Sequence, residues 1–439
     1  MLKYAAVVVT ALVLSVSGAV GLVRDDQPPG SDELTAAGGT ALVAAPGQDL
    51  TSVIATLQDQ LRRVPGDAAG WATLGLAYVE QARVTGDPSL YPKADAVIAR
   101  SFDVQADDNT AALAASAALA SARHRFGEAL RDAQAALAID PWQAGALAIR
   151  VDALTELGEY DRQLSALRIA DRRQPGVPVA SRWSYALELR GRLAAAAAVL
   201  LRTADGATHA DRGFLLTQVA DLERRRGRLG PAESHLRQAL QESPGYVPAL
   251  VGQARLAVAQ GRLDVAERRW RAVVARLPLP THLTELGELL LHRGEREQAR
   301  AQFAVVRSTV QLLEANDVDT ALETAVFEAD HGSPGAALRQ ARTEWDRRRN
   351  IHVADALAWA LHVAGRDRQA LAFTRQATRL DTEESQLWLH RGLIEEGLGR
   401  DEAAVRHVRR ALATDPGASP WQQQRAERAL TRLDAGGPR

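Results

Sequence analysis

Apolar residues recur along most of the chain at spacings of three and four, the period of an α-helix with one buried face. The stretch 247–278 shows this pattern in two successive segments. The apolar positions of the first segment are Leu250, Ala254 and Ala257, and those of the second are Leu263, Ala266, Trp270 and Val273. Gly261 separates the two segments and Pro278 ends the second. The pattern therefore predicts a helix–turn–helix hairpin.

The same hairpin pattern recurs along the chain. A turn residue, glycine in all but one case, is followed five residues later by a small residue, usually alanine. The turn positions are His124, Gly158, Gly191, Gly227, Gly261, Gly294, Gly332, Gly365 and Gly399, at spacings of 33 to 38 residues. Prolines close many units at a constant offset, namely Pro141, Pro175, Pro244, Pro278 and Pro416. Because one hairpin cannot bury its apolar face alone, this period predicts a stack of hairpins.

One segment carries the signature of a known repeat. WATLGLAY, with Trp71, Leu74, Gly75 and Tyr78, matches the first-helix pattern W-x2-L-G-x2-Y, and residues 125–141 and 158–175 match the second-helix pattern. Over about residues 50–433 the chain thus resembles tetratricopeptide repeat proteins. The resemblance implies an all-α fold: a right-handed superhelical solenoid of about ten hairpins with N- and C-terminal capping helices. The units start near residues 68, 110, 144, 177, 213, 247, 280, 318, 351 and 385.

The predicted organisation includes three irregular units. Residues 84–94 lengthen the turn of the first unit, and residues 202–213 form a loose junction after the fourth. The seventh unit continues through residues 305–317, which predicts a second helix longer by about one turn. We expect an N-terminal capping helix within residues 48–67, repeats over 68–416, a C-terminal capping helix over 417–433 and a disordered tail over 434–439.

The N-terminus has a different pattern. Residues 4–23 are uncharged and mostly apolar, which is long enough for a membrane-crossing helix. A signal peptide cleaved after Ala19 is the alternative, and a buried first helix is a third interpretation. Residues 24–47 are rich in Pro, Gly and Asp, as is typical of a disordered linker after a signal or anchor segment over 1–23. The sequence predicts an exported bacterial protein, membrane-anchored or secreted, with membrane contact only through residues 4–23.

Composition and motifs narrow the chemistry. The absence of cysteine excludes disulfides, thiolate metal sites and a cysteine nucleophile. A net charge of −1 with interspersed signs gives no indication of a nucleic acid partner. The basic clusters at 224–228 and 347–349 fall at helix ends, where arginine complements the helix dipole. No P-loop, G-x-S-x-G or H-E-x-x-H motif occurs, so we expect no catalytic residues, no cofactor and no metal site.

The resemblance also implies a candidate binding surface. In tetratricopeptide repeat superhelices, the first helix of each unit lines a concave groove at unit positions 2, 5, 9 and 12. The groove residues expected here are Tyr185, Glu188, Asp221, Arg255, Glu288, Asp319, His352, Asp355, Trp359 and His362. The Lys and Asn clamp of co-chaperone members is absent, because Lys3 and Lys93 are the only lysines and the asparagines fall at unit boundaries.

The ninth unit concentrates candidate chemistry. His352, Asp355, Trp359 and His362 fall within about 80° of one helix face, apart from the core stripe of alanines and leucines. The two histidines are about 15 Å apart along a helix, so they cannot share one metal ion. We expect a solvated groove face with Trp359 as an aromatic docking platform. A metal or catalytic site, and a face without a specific role, are the alternatives.

The sequence therefore predicts an extracytoplasmic scaffold that binds a protein or extended peptide in its concave groove. A structural or assembly subunit that self-associates through convex or terminal surfaces is an alternative, which exposed apolar residues on second helices would favour. A solenoid-based enzyme would require a titratable cluster in a deep pocket. An RNA-reading repeat would require a basic groove.

Overall fold

The computed structural model describes residues 50–415 and 419–435. Over these residues the chain forms 22 α-helices and one short 3-10 helix, without a β-strand. The prediction of an all-α helical repeat solenoid is confirmed. The predicted signal or anchor segment (1–23) and linker (24–47) lie outside the described residues, as do residues 436–439 of the tail. Within the described ranges, no helix is both long and apolar enough to span a membrane.

Ten hairpins follow an initial helix, α1 (Leu50–Arg63). The first helices are α2 (Ala68–Thr85), α4 (Thr110–Ala122), α6 (Ala144–Glu156), α8 (Val177–Glu188), α10 (His209–Arg225), α12 (Val247–Ala259), α14 (Pro280–His292), α16 (Ala321–His331), α18 (Ile351–Val363) and α20 (Ser385–Gly397). The second helices are α3 (Tyr91–Val104), α5 (Phe126–Ile139), α7 (Tyr160–Arg173), α9 (Leu193–Ala204), α11 (Leu229–Glu242), α13 (Leu263–Arg276), α15 (Arg296–Glu314), α17 (Pro334–Arg347), α19 (Asp367–Ala377) and α21 (Asp401–Thr414).

A last helix, α22 (Pro420–Asp434), completes the described chain. Eight of the ten first helices begin where the repeat pattern placed them. The exceptions are α10, which begins at His209 instead of near 213, and α16, which begins at Ala321 instead of near 318. The insertion in the first unit contains the 3-10 helix Pro88–Leu90.

The turns use the left-handed backbone that the repeated glycine predicts. At the third hairpin, Gly158 has φ of 79°, and the N–H of Glu159 donates to the Leu154 carbonyl at 2.9 Å. This is a Schellman ending, which favours glycine because a Cβ is strained at positive φ. Gly332 departs from the pattern with φ of −142°, so the eighth hairpin turns differently.

His124 adopts the same left-handed conformation without being glycine, with φ of 61°. Its Nδ1 lies 2.8 Å from the carbonyl oxygen of Asp319, whose N–H donates to the Arg123 carbonyl at 3.0 Å. Arg125 adds an ion pair with Asp317 at 3.6 Å. These contacts offset a left-handed backbone that costs about 1–2 kcal/mol for an ordinary residue.

The segment that contacts this turn follows the longest second helix. α15 has 19 residues where α13 has 14, so the predicted extension of the seventh unit is confirmed. Beyond that extension, Val318 is buried in an apolar cluster with Leu119 and Ala122 of α4. The segment that follows α15 therefore supplies a core residue to a hairpin that lies far away in sequence.

The described residues group into two compact units. The N-terminal unit comprises residues 50–183 and 312–319, and the C-terminal unit comprises residues 184–311, 320–415 and 419–435. The divisions fall within α8, near the end of α15 and just before α16.

First helices of the C-terminal unit are buried more completely than second helices. Every residue of α18 from Ile351 to Leu361 is buried, whereas α19 buries a single stripe of residues. The reason is that α18 contacts α19 and also the neighbouring first helices α16 and α20. A helix covered on several sides must place its polar side chains against partners other than water.

Close packing within the hairpins depends on small residues. Ala299, the small residue after the seventh turn, is fully buried. A Cβ added at Gly287 on α14 would overlap the Phe303 ring of α15, and one added at Gly392 on α20 would lie 2.6 Å from Val408 Cγ2 of α21. These glycines admit a large side chain of the second helix.

We expect Gly287→Ala to lower the free energy of unfolding by about 1–3 kcal/mol, because the added methyl group must displace the Phe303 ring. Gly230→Ala on α11 is the matched control, since nothing lies within 4 Å of its added Cβ. Helix propensity predicts a gain of up to about 1 kcal/mol there. Urea unfolding followed by circular dichroism measures both changes, and equal effects would contradict the packing argument.

Candidate functional site

Polar and aromatic side chains of four first helices meet in the C-terminal unit. We call the surface that they form the inner face; it consists of Glu288, Asp330, His331, His352, Asp355, Trp359, Glu384 and His390. Its contacts run from one first helix to another, because α18 lies between α16 and α20. The inner face includes four of the ten predicted groove residues.

The expectation of a solvated face on α18 is wrong. His352, Asp355 and Trp359 are 3%, 1% and 1% exposed, and only His362 keeps a half-buried position. The physical reason is that α20 lies against α18, and that Arg425 of α22 covers the Trp359 ring at 4.8 Å from its centroid. Whether these residues bind a partner stays a prediction.

Asp355 and Trp359 are held by the helices on either side of α18. Asp355 Oδ2 lies 2.8 Å from His390 Nδ1 on α20. Trp359 stacks on the same histidine with ring centroids 4.1 Å apart and nearly parallel planes. Its indole N–H donates to Asp330 Oδ1 on α16 at 2.9 Å. The tryptophan thereby bridges two neighbouring first helices.

The two histidines of α18 have separate partners. His352 Nε2 lies 3.1 Å from Glu384 Oε1, and His362 Nδ1 lies 2.5 Å from Asp367 Oδ1. Burial lowers the pKa of His362, although the Asp367 carboxylate opposes this. Within the described ranges, no group of three or more His, Asp or Glu side chains is arranged to hold a metal ion.

Arginine–carboxylate pairs continue the polar interior toward α10. Arg224 pairs with Asp221 at 3.0 Å and with Asp415, which follows α21, also at 3.0 Å. Burial alone would raise the pKa of Asp221, but the charges of Arg224, Arg255 and Arg225 hold it well below its usual range. The pair with Asp415 joins the fifth hairpin to the tenth.

The remaining predicted residues of this region are also buried or paired. Glu188 pairs with Arg225, and Arg255 pairs with Glu285 at 2.6 Å. Burial raises the pKa of both carboxyls, even though each arginine lowers it. Burial alone would lower the pKa of Arg255, but the Glu285 charge outweighs burial and raises the pKa above its usual value. Tyr185 is buried as well, whereas the Asp221 and Glu188 side chains keep partial exposure of 31% and 18%.

Asp319 is the one predicted groove residue outside the C-terminal unit. It was expected on the first helix of the eighth unit, but that helix begins at Ala321, with Thr320 as its N-cap residue. The Asp319 backbone is instead bonded to Arg123 and His124 in the N-terminal unit. Its placement on a groove-lining helix is therefore corrected.

The N-terminal end of α22 reaches the inner face. The hydroxyl of Ser419 donates to Glu288 Oε2 at 2.9 Å, and His331 Nε2 lies 3.1 Å from the other oxygen of that carboxylate. The Trp421 ring lies 4.9 Å from the His331 ring. The last helix thus contacts α14 and α16 as well as the final hairpin.

Arg425 makes the central contact of α22. Its Nη1 donates to Asp330 Oδ1 at 2.8 Å, and its guanidinium lies over the rings of Trp359 and Trp421. Burial raises the pKa of Asp330, but Arg425, His390 and His331 together lower it below its usual value. One guanidinium therefore neutralises a buried carboxylate and is stacked between two indoles.

The repeat register did not locate several of these partners. His390 stands at position 6 of the tenth unit, Glu384 directly precedes that unit, and Arg425 lies on the capping helix. None occupies the unit positions that the resemblance assigns to the groove. No motif or repeat position in the sequence marks them, because their partners lie 32 to 95 residues away along the chain.

We expect Asp330→Asn to lower the free energy of unfolding by about 1.5–3 kcal/mol at neutral pH, because it removes a charge-assisted hydrogen bond. Since the folded-state pKa is depressed, this stability is present above the usual carboxyl pKa and is lost as pH falls through the lower folded value. The difference between variant and wild type should therefore shrink below about pH 4.

Asp264→Asn is the matched control for that measurement. Asp264 is exposed and pairs with Arg293 at 2.7 Å, and exposed pairs contribute about 0–1 kcal/mol. Urea midpoints between pH 3 and pH 8 compare the two variants. A pH-independent loss for Asp330→Asn would show that shape, and not charge, accounts for its effect.

Comparisons with known proteins agree with the repeat architecture. A family model described as tetratricopeptide repeat matches residues 224–281. A search of curated protein sequences finds no match to this chain. The matched segment spans the end of α10 through the start of α14, that is, the sixth hairpin and parts of its neighbours.

Solved structures with similar folds are distant in sequence. The Cut9–Hcn1 hetero-tetramer of the APC/C matches with 12% identity and a TM-score of 0.38, over 87% of this chain and 93% of that chain. A human IFIT1 dimer with PPP-AAAA matches with 13% identity and a TM-score of 0.48, over 92% and 93%. A human IFIT1 dimer with m7Gppp-AAAA has 12% identity and the same TM-score. These scores carry no inference about ligands.

The repeated hairpins with left-handed turns provide one line of support, and the matched repeat segment provides another. Together they show that residues 224–281 match the tetratricopeptide repeat, and that hairpins outside this segment share the same turn geometry.

Proposed function

We propose that the protein is a non-catalytic interaction scaffold whose inner face binds a segment of a partner protein. The observation that supports this most directly is α22 itself. The inner face already holds a helix through an ion pair, a cation–π contact and a hydroxyl hydrogen bond. Helix-in-groove recognition between two chains uses the same kinds of contact.

Charge pairing favours a protein over a nucleic acid as the partner. Nucleic acid binding relies on basic side chains that are free to neutralise phosphates. Here the inner arginines Arg224, Arg225 and Arg255 each pair with a carboxylate. A partner with mixed polar and aromatic side chains suits this surface better than a polyanion.

A second candidate is self-assembly through second helices. Val305 and Leu312 on α15 are 43% and 53% exposed, and Trp142 beside α5 is 57% exposed. Exposed apolar side chains on second helices are the feature that this alternative requires. Both candidates are tested by the same crosslinking measurement.

A photoreactive amino acid at Leu291 is expected to yield adducts with a partner protein in cells, because Leu291 lies half-buried on α14 one turn after Glu288. The same amino acid at Val305 on α15 is the control and should give few adducts. Mass spectrometry identifies the crosslinked chain. Adducts between two copies of this protein, formed from Val305 and not from Leu291, would contradict the scaffold function and support self-assembly.

We also propose an extracytoplasmic location, on the strength of the uncharged apolar stretch 4–23. A reporter that is active only outside the cytoplasm, fused after residue 30, should be active. Replacing two apolar residues of that stretch by arginine should abolish its activity, because charges oppose membrane insertion. A reporter that functions only in the cytoplasm would overturn the proposed location.

A further inference from the structure

α22 makes contacts that capping does not explain. Ala426 and Ala429 join the apolar cluster that contains Val408 and Ala411 of α21, which covers the last hairpin as a cap must. The N-terminal end of α22 contacts α14, α16 and α18, which belong to three earlier hairpins. A capping helix needs none of these.

Three side chains carry the additional contacts, namely Ser419, Trp421 and Arg425. Trp421 and Arg425 are four residues apart, so they lie one turn apart on the same face of α22. The Arg425 guanidinium lies 4.7 Å from the Trp421 ring centroid and 4.8 Å from that of Trp359, and it donates to Asp330 at 2.8 Å. An ion pair combined with stacking on a planar group is a recognition site specific for arginine.

The side chains of the site on the other helices are held by contacts with one another. Trp359 is fixed by stacking on His390 and by its hydrogen bond to Asp330. The Asp330 side chain is fully buried, and its Oδ2 has no hydrogen-bond partner among the described residues. A buried carboxylate is costly without a cation, and the second oxygen can accept a further N–H from a guanidinium.

α22 itself is held by few large apolar contacts. Its buried residues are Gln422, Ala426 and Ala429, whereas the second helix α13 buries Trp270 and Val273. Hydrophobic stabilisation grows with the apolar area removed from water. A helix that offers the same polar anchors can therefore compete with α22 for the site.

We propose that Asp330, Trp359 and His331 form a receptor for a partner helix that carries an aromatic residue and, four residues later, an arginine. Trp421 and Arg425 occupy this receptor while no partner is bound, and the partner releases the N-terminal end of α22. The inference rests on the scaffold function proposed above and specifies the chemistry of its partner.

A labelled peptide with the sequence of residues 419–435 and blocked ends is the probe, and fluorescence anisotropy against full-length chains is the measurement. In the wild-type chain α22 competes from within the same molecule at high effective concentration. The Trp421→Ala/Arg425→Ala chain lacks that competition, and we expect it to bind the peptide at least ~10-fold more tightly. An Arg425→Ala peptide should lose ~10-fold or more in affinity for that chain.

Three controls accompany the measurement. An Arg428→Ala peptide should bind as well as the unchanged peptide, because Arg428 is exposed on α22. Adding Asp330→Asn to the Trp421→Ala/Arg425→Ala chain should abolish binding. Circular dichroism checks the fold of each variant. If the Trp421→Ala/Arg425→Ala chain is unfolded, amide hydrogen exchange of the wild-type chain with excess peptide replaces the affinity measurement. Exchange over residues 420–434 should then accelerate.

Equal affinity of the unchanged and Arg425→Ala peptides would overturn the proposal, as would no binding together with unchanged hydrogen exchange. If the wild-type chain is a dimer and the Arg425→Ala substitution dissociates it, the receptor binds a second copy of this chain. That result would also overturn the proposal of a separate partner. If the peptide fails but Leu291 still crosslinks a partner, the scaffold function stands and only the aromatic–arginine pattern is lost.

Discussion

Carboxylates that lie between helices, out of water, are the constraint on which the C-terminal unit depends. Glu285, Asp330 and Asp355 each have to meet a donor from another helix, because an unpaired buried charge costs several kcal/mol. Removing one partner of such a pair typically costs about 3–5 kcal/mol. The pairs therefore specify which helices come together, and apolar packing alone would not distinguish one alanine-rich hairpin from the next.

These pairs act over two ranges of sequence. Asp355 with His390 and Arg255 with Glu285 connect first helices of successive hairpins. Arg224 with Asp415 connects the fifth hairpin to the end of the tenth. Contacts of the first kind set the stacking of neighbours, and a contact of the second kind joins two hairpins that are distant in sequence. A repeat array without the second kind would depend on nearest-neighbour interfaces only.

On the proposed function, the position of α22 changes how a partner binds. An array with an empty groove would offer its first helices directly to a ligand. Here the Trp421–Arg425 pair already neutralises Asp330 and covers Trp359. On the proposed function, binding is an exchange of one helix for another, so apparent affinity depends on how firmly α22 is held. Because α22 buries few large apolar side chains, a partner helix that makes the same polar contacts could displace it.

Local chemistry made most of the fold predictable. Glycine at a left-handed turn, a small residue after it and proline at the end of a unit act within a few residues of themselves. Eight of the ten first helices therefore begin where the pattern placed them. The errors arose where long-range contacts decide. Asp319 is held at the turn of His124, so it precedes α16, and His124 itself keeps a glycine-type conformation through the same contact.

The sequence by itself determined the helices, their pairing into hairpins and the residues of each apolar stripe, because these depend on periodicity and turn geometry. It also concentrated His352, Asp355, Trp359 and His362 on one helix face. Only the tertiary structure decided that this face is buried, that His390 and Asp330 are its partners and that α22 covers it. Those contacts join residues that lie about 30 to 70 positions apart, and no local pattern specifies which distant charge meets which.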